Sequence, residues 1–439
     1  MAGVLAVLLV LASLLLDARP AHASQPGELL SVKQTAHYPV AEIQTEITPL
    51  FEPFGLPDVT YPVDVYWIQF HSSDFDGSPA VARAQLFIPL LRREADAVPS
   101  IEPYGDERTE GEITPLPILT FGSGTTGIAE RCAPILEIPE LNRWGSYHAN
   151  MLAYAAEGFI VIFPEYIGFG DPDTPQRYFS KAAEAYVMLD SIRAVYRFFD
   201  TTFSDGTFSD GTNRSDFYRL LPSKTVFAAG YSQGGHAAHA AADLRPDYAP
   251  ELPLTGLVGF GQTNNVATLM REMAYYAPYI IYTFAEMYGH DEIDPADYLQ
   301  PKWLPTLEED MYRFCVEEFQ FYYPMKGEEL YTAEFHAALV EERLHDEFPA
   351  MAKRLEENLA GLSGHGLPAL VLQGEQDIII TTPEQTRFVE QLCAAGSAVT
   401  YEVLPGARHR DVRPAGFRLS VEWMRALARG DEPPQVDCD

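Results

Sequence analysis

Gly230-Tyr231-Ser232-Gln233-Gly234 is the only Gly-x-Ser-x-Gly in the chain. A serine hydroxyl is a poor nucleophile until a base takes its proton, so this motif does chemistry only with a histidine and an acid beside it. Residues 224–229, Lys-Thr-Val-Phe-Ala-Ala, read as an apolar strand entering the motif, and an Ala-rich helix follows it. A strand–turn–helix setting holds the serine hydroxyl out at the carboxyl edge of a sheet. The glycines permit the sharp turn and the close approach of chain to chain. In such a topology the acid and then the histidine follow the serine. Asp377, in Gly374-Glu375-Gln376-Asp377, comes directly after an apolar strand at 367–373, and His409 directly after a strand at 398–404. Asp377 would hold the imidazole tautomer, and His409 would take the Ser232 proton and return it to the leaving group. Glu375 and Asp411 are rivals for the acid, and placement favours Asp377.

The tetrahedral intermediate of acyl transfer needs donors aimed at its oxyanion. The backbone N–H of Gln233, next to the nucleophile, is one candidate. The other should come from the loop after the strand that ends at Phe121. There Gly124-Thr125-Thr126-Gly127 offers glycines for close approach and threonines for a hydroxyl. Thr125 is preferred, with Gly124 and Thr126 as neighbours. His236 and His239 lie further down the serine helix and read as packing or capping groups. His290, His336, His345 and His365 fall in a later helical segment or its return.

These residues need a frame. Residues 63–70 and 80–88 partly alternate around Asp76-Gly77, a hairpin signal. Further strands are expected at 116–121, 158–163 and 254–261, and helices at 147–157, 180–199, 383–395 and 416–429. Strands alternating with helices predict an α/β fold: a mostly parallel central sheet with helices on both faces and an antiparallel edge from the hairpin. Residues 24–60 look polar and Pro-punctuated, wrapping the surface, and 89–115 read as a loop. Between 264 and 366 the alternation stops. That stretch is helical in composition, crowded with Tyr and Phe, and far longer than an ordinary connection. The expected organisation is a signal peptide at 1–23, a core at 24–263 and 367–439, and an inserted helical cap at 264–366.

The whole chain has 439 residues, 47% of them hydrophobic, enough for a packed core. Its 30 Lys and Arg against 63 Asp and Glu give a net charge of −33, which repels nucleic-acid backbones and anionic membranes. The apolar run before Asp17 is short for a span, and Ala21-His22-Ala23 supplies the small-x-small pattern of signal cleavage. Export to the periplasm or medium is therefore expected, with no stable membrane anchor. Four cysteines, Cys132, Cys315, Cys393 and Cys438, allow two disulfides in three pairings. Their spacing matches no metal motif, and the chemistry above needs no metal or organic cofactor. Residues 202–212 repeat as a short turn-rich insertion, and Asn213-Arg-Ser215 is a glycosylation sequon.

With those residues in hand, the chain resembles the secretory lipase family, lipase A type, of the α/β-hydrolase superfamily. The resemblance rests on Gly124-Thr-Thr-Gly127 followed by Cys132-Ala-Pro134, on Phe163-Pro-Glu-Tyr-Ile-Gly-Phe-Gly170, on Gly230-Tyr-Ser-Gln-Gly-Gly-His236, and on Asp377 and His409. It implies an ester or lipid substrate and a helical lid over an acyl-binding tunnel. It also implies the disulfides Cys132–Cys315 and Cys393–Cys438, the first tying the cap to the oxyanion loop. Glu165 departs from the pattern, standing where relatives more often carry Asp. The same triad would also serve a short-chain or polyester-type esterase. A secreted serine peptidase would need carboxylates to fix a substrate amine, and the cap offers Glu286, Asp291, Glu292 and Asp294. A non-catalytic binding protein would not need all three triad members.

Overall fold

The computed structural model describes residues 25–91, 113–139, 141–142, 144–202, 219–433 and 437–438. The expected signal peptide at 1–23, the sequon and residues 203–212 of the turn-rich repeat lie outside them. So does most of the loop expected at 89–115.

Nine strands form one sheet: β1 (Leu29–Tyr38), β2 (Val63–Ser73), β3 (Pro79–Pro89), β4 (Ile113–Gly122), β5 (Ile160–Pro164), β6 (Arg219–Tyr231), β7 (Gly256–Phe260), β8 (Ala369–Gly374) and β9 (Val399–Leu404). Their order across the sheet is β1-β2-β3-β5-β4-β6-β7-β8-β9. The pairs from β1 to β5 are antiparallel, and all pairs from β5 to β9 are parallel. Parallel strands packed on both faces read as unbroken apolar runs. Ile160-Val-Ile-Phe163 is such a run, and its side chains divide by parity. Ile160 and Ile162 join one core layer, Val161 and Phe163 the other.

The first layer is covered by helices α3 (Lys181–Thr202) and α4 (Gln233–Tyr248). Val187, Met188 and Ile192 of α3 meet Ala237, Ala238 and Ala241 of α4 over the strands. The second layer is covered by α1 (Val40–Phe51), α2 (Tyr147–Ala156) and the last helix, Val412–Ala428. Small alanines let α4 sit close to its neighbours, which keeps the start of that helix at a fixed height above the sheet.

Two readings of the sequence are corrected here. Residues 24–60 are not a surface wrap, since they contain β1 and α1. The β1 side chains are mostly exposed, so the strand has no apolar alternation to read, and only its ladder to β2 defines it. Helix α1 buries Ile43, Ile47 and Phe51 at four-residue spacing, a stripe partly hidden by Pro39 and Pro49. In consequence β1, not the hairpin, forms the antiparallel edge.

Between β7 and β8 the chain makes a series of helices from Val266–Glu272 to Pro349–Glu357, with one isolated bridge, Leu299 to Tyr331. Their aromatic residues pack: the Tyr279 and Phe319 rings stack at 3.7 Å. These rings belong to the same apolar layer as Phe260 and Val258 of β7, so the helical segment is seated on the sheet rather than hung beside it.

Candidate active site

Ser232 stands between β6 and α4 with φ 53° and ψ −114°, a conformation costly for a residue with a side chain. Its surroundings hold it there. The Ser232 N–H donates to the Phe260 carbonyl at 3.0 Å, while the N–H groups of Gly235 and Thr263 donate to the Ser232 carbonyl. The glycines of the motif are required by space. A Cβ on Gly230 would lie 1.9 Å from the Gly234 carbonyl oxygen, and one on Gly234 would lie 1.9 Å from that of Gly122. The elbow is therefore pressed against the end of β4, where the candidate oxyanion loop begins.

Asp377 and His409 follow β8 and β9 at the same carboxyl edge. His409 Nδ1 is 2.7 Å from Asp377 Oδ2. The other carboxylate oxygen accepts the N–H groups of Ile379 and Ile380 at 2.9 and 3.0 Å. Nδ1 is thus committed to the acid, leaving Nε2 for proton transfer. The His409 ring lies 4.9 Å from that of Tyr231, the residue before the serine. The rival acids are used otherwise. Glu375 accepts from the Gly406 N–H at 2.8 Å and Asp411 from the Arg408 N–H at 3.0 Å, each closing its own loop.

On the oxyanion side, the Thr125 hydroxyl meets the Tyr178 hydroxyl at 2.7 Å. The Gly124 N–H donates to the Tyr147 hydroxyl at 2.8 Å. Gly124 therefore has its amide engaged and serves by lacking a side chain, since a Cβ there would meet the Tyr231 ring at 2.7 Å. Burial pushes the Tyr147 phenol up to about 12, so it stays a neutral hydroxyl. The Arg413 guanidinium lies over both the Tyr147 and Tyr231 rings, 4.8 Å from each centroid. Gln233 sends its side-chain amide to Glu184 at 2.7 Å. Sequence reasoning did not find Tyr147, Tyr178, Glu184 or Arg413, because each reaches the site from a different element and none forms a local motif.

The other histidines are buried or peripheral. His236 is hydrogen-bonded to Glu184 and to the Asn358 carbonyl. His239 packs on Phe388, and burial, then the nearby His365, pushes it down to about 3. The four carboxylates of the helical segment have separate surroundings. Glu292 is paired with Arg354 at 2.7 Å, Glu286 meets His290, Asp294 caps Ala296, and Asp291 is exposed. Among the described residues, no group of three or more His, Cys, Asp or Glu could hold a metal ion.

Cys132–Cys315 and Cys393–Cys438 are disulfide-bonded, the pairing that the family resemblance implied. The first fastens the segment after the candidate oxyanion loop to the helical region, where the Val316 N–H also donates to the Thr126 carbonyl at 2.8 Å. A groove of about 560 Å³ runs between that region and the helix Thr382–Ala394, with Leu339, Leu344 and Leu355 beside Arg271, Glu356 and Arg387 in its lining. No described helix is long and apolar enough to cross a membrane.

A sequence model of the secretory lipase family matches residues 148–436, which include the serine elbow, Asp377 and His409. The chain belongs to the secretory lipase family. Within it, the chain is 24% identical over 303 residues to the secreted triacylglycerol lipase LIP1 of Malassezia furfur. That match covers 66% of this chain and 55% of LIP1, so this family member spans about half the length of that relative. Candida antarctica lipase A in its closed state is similar in structure, with TM-score 0.65, 17% identity, and coverage of 94% of this chain and 84% of that one. The rice cell wall degrading esterase LipA of Xanthomonas oryzae aligns with TM-score 0.64 and 16% identity over 92% of this chain and 97% of that one. This secretory lipase family member has the α/β-hydrolase fold.

Proposed function

We propose that this chain is a secreted serine carboxylic-ester hydrolase, a lipase or esterase, that works through Ser232, His409 and Asp377. The observation that carries the reading is the 2.7 Å contact from His409 Nδ1 to Asp377 beside a serine held at a strained elbow. Family membership and the secreted relative LIP1 support ester chemistry and export.

In this mechanism His409 Nε2 takes the Ser232 proton as Oγ attacks the ester carbonyl. The oxyanion is met by the Gln233 N–H and by Thr125. The C–O bond to the alcohol breaks, and His409 returns the proton to the leaving alkoxide. Water then attacks the acyl-serine through the same base, releasing the acid and restoring the serine. Residues 264–366 act as a cap over the site.

The test compares hydrolysis of p-nitrophenyl esters from acetate to palmitate by wild type and Ser232→Ala, with fluorophosphonate labelling of the wild type. Ser232→Ala should lose roughly 10⁴–10⁶ in kcat. Unchanged turnover in the variant would sink the assignment. A long-chain optimum supports a lipase with an acyl-binding cap, and a fall beyond butyrate supports a short-chain or polyester-type esterase.

A further inference from the structure

Behind the oxyanion loop lies a polar group that the mechanism above leaves unused. Glu184, in the first turn of α3, and His236, in the first turn of α4, are both fully buried. His236 Nδ1 is 2.6 Å from Glu184 Oε2, and His236 Nε2 is 2.7 Å from the backbone oxygen of Asn358. The carboxyl group and the carbonyl thus engage both nitrogens of the ring. Each polar atom of the buried ring therefore has a partner, as buried polar groups require.

The remaining oxygen of Glu184 reaches both sides of the oxyanion site. Oε1 accepts from Gln233 Nε2 at 2.7 Å and from the Phe179 N–H at 3.2 Å. Gln233 is the residue whose backbone N–H follows the nucleophile. Phe179 has φ 53°, a left-handed conformation that a bulky side chain rarely adopts, and its ring stands edge-on to His236 at 5.2 Å. One residue earlier, Tyr178 holds the Thr125 hydroxyl at 2.7 Å. The carboxylate thus touches one donor through a side chain and the other through a strained turn. Hydrogen bonds to a charged acceptor are the stronger kind and hold geometry well.

We propose that the Glu184–His236 pair is the positioning group of the oxyanion site, fixing the Gln233 N–H from one side and Thr125, through the Tyr178–Phe179 turn, from the other. This rests on the reading that Gln233 and Thr125 serve the oxyanion. The same pair joins the active site to the return of the helical segment. Asn358, besides accepting from His236, takes the Lys181 N–H on its side-chain oxygen at 2.8 Å and donates to the Tyr288 hydroxyl at 2.8 Å. Seating of that segment and aim of the donors therefore share one set of bonds.

A positioning group for the transition state affects kcat, whereas a merely structural pair affects the amount of folded enzyme. The experiment uses the whole chain as Glu184→Leu and as Gln233→Met. The second removes only the side-chain tether and keeps the backbone N–H. Active sites are counted by fluorophosphonate titration to completion, so each constant refers to folded enzyme. A boronic acid that forms a tetrahedral adduct at the serine reports on the oxyanion donors. For both variants kcat per titrated site should fall by about 10- to 100-fold, less than the 10²–10³ seen when a donor is lost outright. The boronate inhibition constant should rise by a similar factor while KM stays within about twofold. If Glu184→Leu fails to fold, Gln233→Met still decides the matter. Wild-type kcat and boronate affinity per titrated site in Gln233→Met would overturn the proposal. If the wild type itself takes no fluorophosphonate at Ser232, the ester-hydrolase reading fails instead, and the two failures are told apart.

Discussion

The imidazole of His409 and the carboxylate of Asp377 meet at 2.7 Å, and Asp377 spends its other oxygen on two backbone N–H groups, those of Ile379 and Ile380. The acid is therefore fixed at both ends before it touches the base. Asp377→Asn should keep the loop, because the amide oxygen can still accept from Ile379 and Ile380. Its NH₂ would then face Nδ1 and force the proton onto Nε2, the wrong tautomer for a general base. A loss of about 10⁴ in kcat is expected, with KM little changed and the melting temperature near wild type. A fall of less than tenfold would remove Asp377 from the triad.

Ser232 is buried, and its backbone is strained. At φ 53° and ψ −114° an alanine keeps the unfavourable Cβ, whereas a glycine does not. Ser232→Ala and Ser232→Gly should both be inactive, yet the glycine variant should be more stable to urea by about 1 kcal/mol. Equal midpoints for the two would show that the surrounding hydrogen bonds, not the backbone, set the local energy.

The candidate site was legible in the sequence wherever its residues sat at the end of an apolar strand. Ser232, Asp377 and His409 each follow such a strand, and the parallel part of the sheet announces itself through runs such as Ile160-Val-Ile-Phe163. What remained hidden is what only a ladder or a long-range contact defines. The β1 strand has exposed side chains on most positions and is specified by its pairing with β2. Tyr147, which accepts from the Gly124 N–H, comes from helix α2, 23 residues away. Glu184 lies 49 residues from Gln233, and no local spacing connects them.

The two disulfides should differ in what they do. Cys132–Cys315 lies against Gly127 at the end of the oxyanion loop, where a Cβ would meet the Cys132 sulfur at 2.7 Å. Cys393–Cys438 ties the chain's last residues to the helix Thr382–Ala394, away from Ser232. Replacing either pair by serines should cost about 2–5 kcal/mol of stability. Only the Cys132→Ser/Cys315→Ser protein should also lose kcat/KM per titrated site at a temperature where both variants are folded. Equal kcat/KM in the two would mean that the loop holds its shape without the bridge.

Glu165 sets a pH dependence of stability whose sign can be worked out. It is fully buried, and Arg83 contacts it through Nε at 2.6 Å while sharing its other nitrogens with Glu130 at 2.9 and 3.1 Å. One guanidinium thus serves two carboxylates. Burial pushes the Glu165 carboxyl up from 4.5 to about 7, against the pull of Arg83. A raised acid binds its proton more tightly in the folded state than in the unfolded chain. Between pH 4.5 and 7 the folded protein therefore carries the extra proton, and stability falls as pH rises through that window. The contribution is fully present below 4.5 and is lost by about 7. Glu165→Gln cannot titrate, so the wild-type advantage over it should shrink across the window by an amount on the order of 2–3 kcal/mol. Urea unfolding of both proteins at several pH values measures this directly. A difference that stays flat, or that grows as pH rises, would mean that Arg83 keeps Glu165 ionised throughout.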